Sequence, residues 1–94
     1  MALARVVAFD GVSKQRAEEL SRQISEGERP DNLPATEMMI LHDPDAEQAL
    51  AIVFFDNEDD YRKGDEVLEA MPSGDTPGRR TSVTKYQVAT RMTS

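Results

Sequence analysis

Leu50-Ala51-Ile52-Val53-Phe54-Phe55, followed at once by Asp56-Asn57-Glu58-Asp59-Asp60-Tyr61, is the stretch on which the fold turns. Six consecutive apolar residues, β-branched and aromatic among them, are too few for a buried helix and read as a strand. Successive strand side chains point to opposite faces, so a run that is apolar on both parities has to be covered on both faces. Asp56 or Asn57 then caps a helix. Glu58, Asp59 and Asp60 fill its first turn, where carboxylates favour the positive end of the macrodipole. Tyr61, Gly64, Leu68 and Met71 share its inner face, with Val67 beside them, and Pro72-Ser73-Gly74 stops it. Glu58/Arg62, Asp59/Lys63 and Arg62/Glu66 stand at i,i+4 on the solvated side. Gly64 costs about 1 kcal/mol against Ala inside a helix. It either permits a close approach to the sheet or is simply tolerated.

Upstream of the decisive strand, Asp43-Pro44-Asp45 is turn chemistry, since Pro presets φ and Asp bonds the nearby backbone. Thr36 to His42 is a second strand, with Met38 and Ile40 on one face and Met39 and Leu41 on the other. The short connection predicts an antiparallel hairpin. Before it, residues 28–35 contain Pro30, Asp31, Asn32 and Pro34 and form a loop. Ser13 caps a helix starting at Lys14, with Ala17, Leu20 and Ile24 on one face, Gly27 as its C′ residue and Pro30 barring continuation. Leu3 to Phe9 is the first strand, apolar on both parities except at Arg5, and Asp10-Gly11 ends it. Downstream, residues 72–80 are a mobile loop rich in Pro, Gly and Ser. Thr81 to Ala89 is a polar last strand, with Tyr86 and Val88 alternating against Lys85 and Gln87.

The order βαββαβ, with right-handed crossovers, specifies an α+β, ferredoxin-like fold: a four-stranded antiparallel sheet with two helices on one face. Residues 1–94 are expected to form one such domain, with strands in the spatial order 4-1-3-2. Strands 1 and 3 are then central. Two helices cover one face only, so the doubly apolar strands call for a second cover. The economical cover is an identical chain related by a two-fold axis, which predicts a tight homodimer. The competing reading is that small residues such as Ala4, Ala8 and Ala51 line an open face.

On the βαββαβ order, the Asp43-Pro44-Asp45 hairpin and the Phe54-Phe55-Asp56-Asn57-Glu58-Asp59-Asp60-Tyr61 entry to the second helix, the chain resembles the dimeric α/β-barrel superfamily. That group includes antibiotic-biosynthesis-type monooxygenases and stress-responsive barrel proteins, and the chain looks closest to small bacterial members. The resemblance implies a dimer whose sheets face each other, with an apolar cavity in each subunit. It carries over no catalytic residue. Haem-degrading members use an Asn and a His, and no matching His stands on the second helix here.

The composition narrows the partners. Among 94 residues, 38% are hydrophobic and 5% aromatic, with no Trp, so the core is thin and a partner's burial would help. With no Cys, disulfides and thiolate metal sites are excluded. A formal charge of −7 disfavours phosphate backbones and anionic membrane surfaces, so neither nucleic acid nor membrane is expected as a partner. Apolar runs fall far short of the roughly 20 residues that span a bilayer. Met1-Ala2-Leu3-Ala4-Arg5 lacks a signal-peptide pattern, so a soluble, cytoplasmic protein is expected.

Candidate chemistry is sparse. His42, the one histidine, ends a strand beside Asp43, which would orient it or raise its basicity; otherwise it is a polar residue at a strand end. Asp43, Asp45 and Glu47 open like a calcium loop, but Gln48 stands where the Gly belongs and Phe54 where the bidentate Glu belongs. Asp59, Asp60, Asp65, Glu66 and Glu69 read as a solvated helix face. Arg79-Arg80, followed by Thr81 and Ser82, would suit a carboxylate or phosphate, or pair with the chain's own excess acid. Gly11, Gly74 and Gly78 lack phosphate-loop spacing. The Met and aromatic residues, among them Met38, Met39, Tyr61 and Tyr86, either line an apolar pocket or make an ordinary core. No cofactor and no metal is expected.

Three functions compete. The leading one is a homodimeric α/β barrel with room for a small apolar ligand. The second is a cofactor-free monooxygenase or isomerase acting on an aromatic or polyketide-like substrate, with His42, Tyr61 and Tyr86 as candidate catalytic groups. The third is a regulatory small-molecule-binding module, for which Asp10-Gly11 after the first strand is thin support.

Overall fold

The computed structural model describes residues 2–25, 33–70 and 78–92. The described elements run β1 (Leu3–Asp10), α1 (Lys14–Ser25), β2 (Glu37–Asp43), β3 (Gln48–Phe55), α2 (Glu58–Glu69) and β4 (Arg79–Gln87). The strands form one antiparallel sheet in the order β2-β3-β1-β4, the ferredoxin-like arrangement that the sequence predicts. The long apolar strands β1 and β3 are the central pair.

Local chemistry explains the boundaries. Gly11 ends β1 with φ of 70°, in the left-handed region open to glycine. Ser13 Oγ accepts from Arg16 N at 3.1 Å and so caps α1. Asn57, not Asp56, caps α2: its Oδ1 accepts from Asp60 N at 2.8 Å. Asp43 Oδ1 accepts from Asp45 N at 3.1 Å and Ala46 N at 3.2 Å, closing the hairpin between β2 and β3.

β3 starts at Gln48, two residues before its apolar run, because Gln48 and Ala49 pair with Asp43 and His42 in the ladder. β4 starts at Arg79, within the stretch read from sequence as a loop. Its register slips after Ala8, which pairs with Ser82 while Phe9 pairs with Arg80, leaving Thr81 as the extra bulge residue. The bulge moves Arg80 onto the parity of Lys85. The readings made for Gly27, Met71 and residues 72–77 lie outside the described residues.

Register assigns the two faces. Leu3, Arg5, Val7 and Phe9 of β1 stand beside Phe55, Val53, Ala51 and Ala49 of β3 on the helix side. There Leu33, Tyr61, Leu3, Val53 and Phe55 form one buried cluster under α2. Val12, Ala17, Val7, Phe9 and Ala49 form another under α1. Phe55 is 0% exposed and meets the Tyr61 ring edge-to-face, with centroids 5.4 Å apart at 70°. Arg5, 4% exposed, is the charged residue inside this layer. Its Nε donates to Asp65 Oδ1 and its Nη2 to Glu69 Oε1, each at 2.8 Å. Arg80 donates to the same Glu69 Oε1 at 2.9 Å. Two of the α2 acids read as solvated thus tie the helix to the sheet. The i,i+4 pairing is also revised: Arg62 donates to Asp59 one turn back at i,i+3, and Glu58 pairs with Lys85 of β4.

Candidate functional site: the uncovered sheet face

The other parity faces away from both helices. Val6 and Ala8 of β1, Met39 and Leu41 of β2, and Ile52 and Phe54 of β3 share it. Leu50 joins them at 38% exposed, Leu41 stands at 49% and Tyr86 of β4 at 54%. Together they make a contiguous apolar face, and in general large exposed apolar patches are where proteins make contacts or take ligands. Its β4 margin is milder, with Ser82 and Thr84.

The two ends of this face differ. At one end the row Tyr86, Ala4, Phe54, Glu37 crosses the sheet. Arg91, beyond β4, lays its guanidinium 5.1 Å from the centre of the Phe54 ring and pairs with Glu37. Val88 N donates to Ala2 O at 2.9 Å, which continues the edge ladder. Ala4, in this row, is 5% exposed. At the opposite end lies a depression of about 400 Å³ that opens between the strand ends near the hairpin. Ala8, Leu41 and Leu50 supply its apolar wall from the uncovered face. Asp10, His42, Asp43, Gln48 and Thr81 are its polar lining.

The three residues singled out for catalysis stand apart. His42 shares the helix-side parity with Ala49, reaches the depression and sets its Nε2 2.9 Å from Val12 O. Its hydrogen-bond partner is that carbonyl and not Asp43. A carbonyl oxygen only accepts, so Nε2 carries a proton in this bond, and in the neutral imidazole Nδ1 is then the acceptor. Tyr61 is buried in the α2 layer, beneath the Lys85 ammonium at 5.0 Å from its ring centre. Burial first, then the Asp65 carboxylate, push its phenol above the ordinary value. Tyr86 stands on the uncovered face. Arg79 and Arg80 face the chain's own acids, Asp10 at 3.5 Å and Glu69 at 2.9 Å. Among the described residues no group of three or more His, Asp and Glu side chains is arranged to hold a metal ion, and no helix is long and apolar enough to cross a membrane.

What the sequence reading missed is the Arg5 fork and the depression. Arg5 was visible as the single charge in a doubly apolar strand, and its parity with Val7 and Phe9 was the available signal. The depression has no such signal, because its lining comes from four strands. No family model matches the chain, and no curated protein and no solved structure matches it either.

Proposed function

We propose that the chain works as a homodimeric α/β barrel in which two copies pack their uncovered sheet faces together and hold a small apolar ligand between them. The observation that carries this reading is the uncovered face itself: Val6, Met39, Leu41, Leu50, Ile52 and Phe54 are apolar on a sheet whose two helices both lie on the other side. Four strands about 4.8 Å apart and about eight residues long give a flat footprint of roughly 400–500 Å² per copy. Two copies bury roughly 1,000 Å² before side-chain corrugation is counted, about the lower bound for a specific interface. Membership of the dimeric α/β-barrel superfamily is part of the same proposal, resting on fold and element order alone.

The test is light scattering coupled to size exclusion, over a dilution series at micromolar concentration. A species of twice the 10.5 kDa chain mass is expected at the upper end. A monomer throughout refutes the dimer. If the barrel is instead a cofactor-free oxygenase or isomerase, Tyr86 is the candidate whose position supports it, since it alone of the three stands on the face that a partner would enclose. Loss of turnover of an aromatic substrate in Tyr86→Phe, with the dimer intact, distinguishes that reading.

A further inference from the structure

We infer that the depression at the hairpin end of the sheet is a binding site for a small apolar ammonium compound, an amine with a hydrophobic body. The inference rests on the proposed reading of the uncovered face as a ligand surface, and it names the ligand chemistry and its place.

The hydrogen-bonding state of the lining decides the chemistry. His42 Nε2–H is spent on Val12 O at 2.9 Å. Thr81 Oγ1 donates its proton to Ala8 O at 3.2 Å. Gln48 Nε2 donates to Asp10 Oδ1 at 3.0 Å. The Thr81 hydroxyl proton, the His42 Nε2–H and one Gln48 N–H are thus turned toward the protein; Gln48 keeps a second N–H, and the other groups are acceptors: the Thr81 hydroxyl lone pairs, Gln48 Oε1 and, in the neutral imidazole, His42 Nδ1. Two carboxylates add to them. Asp10 has Arg79 at 3.5 Å from Oδ2, an arginine whose own side chain is 81% exposed. Asp43 uses Oδ1 on the hairpin amides, and among the described residues no cation pairs with it. A carboxylate or phosphate ligand would meet acceptors and like charge here. An ammonium supplies up to three donors and the opposite charge, and the overall charge of −7 draws it in.

The apolar part of the ligand follows from the walls. Leu41 and Leu50 are among the most exposed large hydrophobic residues described, and both border the depression. A bare metal ion would leave that surface wet, and the described acids and His42 form no metal-ligating group. A volume near 400 Å³ lies within the usual range for small-molecule sites.

The experiment titrates ¹⁵N-labelled protein with phenethylammonium, and in parallel with 2-phenylethanol and 3-phenylpropionate, following amide shifts and diffusion. Saturable shifts centred on residues 8–10, 41–43 and 48–50 are expected for the ammonium, with the alcohol weaker and the carboxylate weakest. Asp10→Asn combined with Asp43→Asn keeps the acceptor oxygens that hold Gln48 and the hairpin, so the fold persists. In that variant ammonium affinity should fall about tenfold or more, while the alcohol changes little. Equal or tighter binding of the carboxylate overturns the assignment, as does an unchanged ammonium affinity in the double variant or shifts centred elsewhere. Diffusion separates the two proposals. A monomer that binds the ammonium overturns the dimer alone, and a dimer that ignores it overturns the ligand alone.

Discussion

Replacing Gly64 by Ala should destabilise the protein although Ala is the better helix former. Gly64 is buried within α2. A Cβ built there comes closer than 3.0 Å to both Cε1 and Cζ of Phe55, and within 3.4 Å of Leu33 Cδ1. Phe55 has little room to yield. It is 0% exposed, paired with Leu3 in the ladder, and set two residues before the Asn57 cap that fixes where α2 begins. Either its ring leaves a good rotamer against Tyr61 or α2 lifts from the sheet. Overpacking of this kind costs about 1–3 kcal/mol, occasionally more. The helix-propensity gain returns about 1 kcal/mol. With two ring carbons in the way the overpacking lies in the upper part of that range, about 2–3 kcal/mol, so the expected balance is a loss of about 1–2 kcal/mol, or a Tm lower by roughly 5–15 °C for a chain of this size. Urea unfolding of wild type, Gly64→Ala, Phe55→Leu and the double variant completes a cycle in which the two changes offset each other. Gly64→Ala as stable as wild type would falsify the close-approach account and return Gly64 to a tolerated defect.

The remaining predictions concern the faces, the buried charge and the buried phenol. Val53→Glu places a carboxylate in the helix-side core, where Val53 is 4% exposed, and should abolish cooperative folding. Ile52→Glu should leave a folded monomer; near-identical melts and masses for both would sink the face assignment. Arg5→Ala should cost about 3 kcal/mol, since it removes both ion pairs and leaves a void, whereas Arg5→Met refills the space and should cost about 1 kcal/mol. Urea midpoints for both variants at the wild-type value would refute the fork's role. Burial and Asp65 raise the Tyr61 phenol in the folded state, so its contribution is complete below the unfolded value of about 10 and is lost as pH rises through the folded value. Urea midpoints between about pH 8 and 11 should therefore fall more steeply for wild type than for Tyr61→Phe; parallel curves would contradict this.

Periodicity made the element order legible, and with it the topology. The run 50–55 could only be a strand apolar on both faces, and Asn57 with its three following acids could only open a helix. Parity was not legible, because Ile52 and Val53 are chemically alike and differ only in which neighbours they meet across β1. The start of β4 was hidden for another reason. Arg79 and Arg80 follow a Pro- and Gly-rich stretch, and their strand character comes from pairing with Asp10 and Phe9 around a bulge. The Arg5 fork joins residues some sixty positions apart in the chain. Asp65 and Glu69 therefore looked like any solvated acids until β1 was placed beneath them. Of the candidate site, the apolar face could be anticipated from β1 and β3, while the acceptor-lined depression required the strand ends to be brought together.

The strand order also dictates a schedule for folding. Within this sheet, β2 and β3 are the one pair joined by a tight turn, at residues 44–47. β1 has no local partner: it bonds β3 on one side and β4 on the other, so the first ladder closes a loop of about half the chain and the second a loop of most of it. During synthesis the first strand emerges and waits, with Leu3, Val7 and Phe9 unsheltered, until residues 48–55 arrive. Its second edge stays open until residues 79–87 follow. Such non-local pairing places folding toward the millisecond-to-second range. Over that interval β1 is open to wrong partners, and Arg5 interrupts its apolar run with a charge, the kind of residue that disfavours aggregation, until Asp65 and Glu69 arrive to receive it.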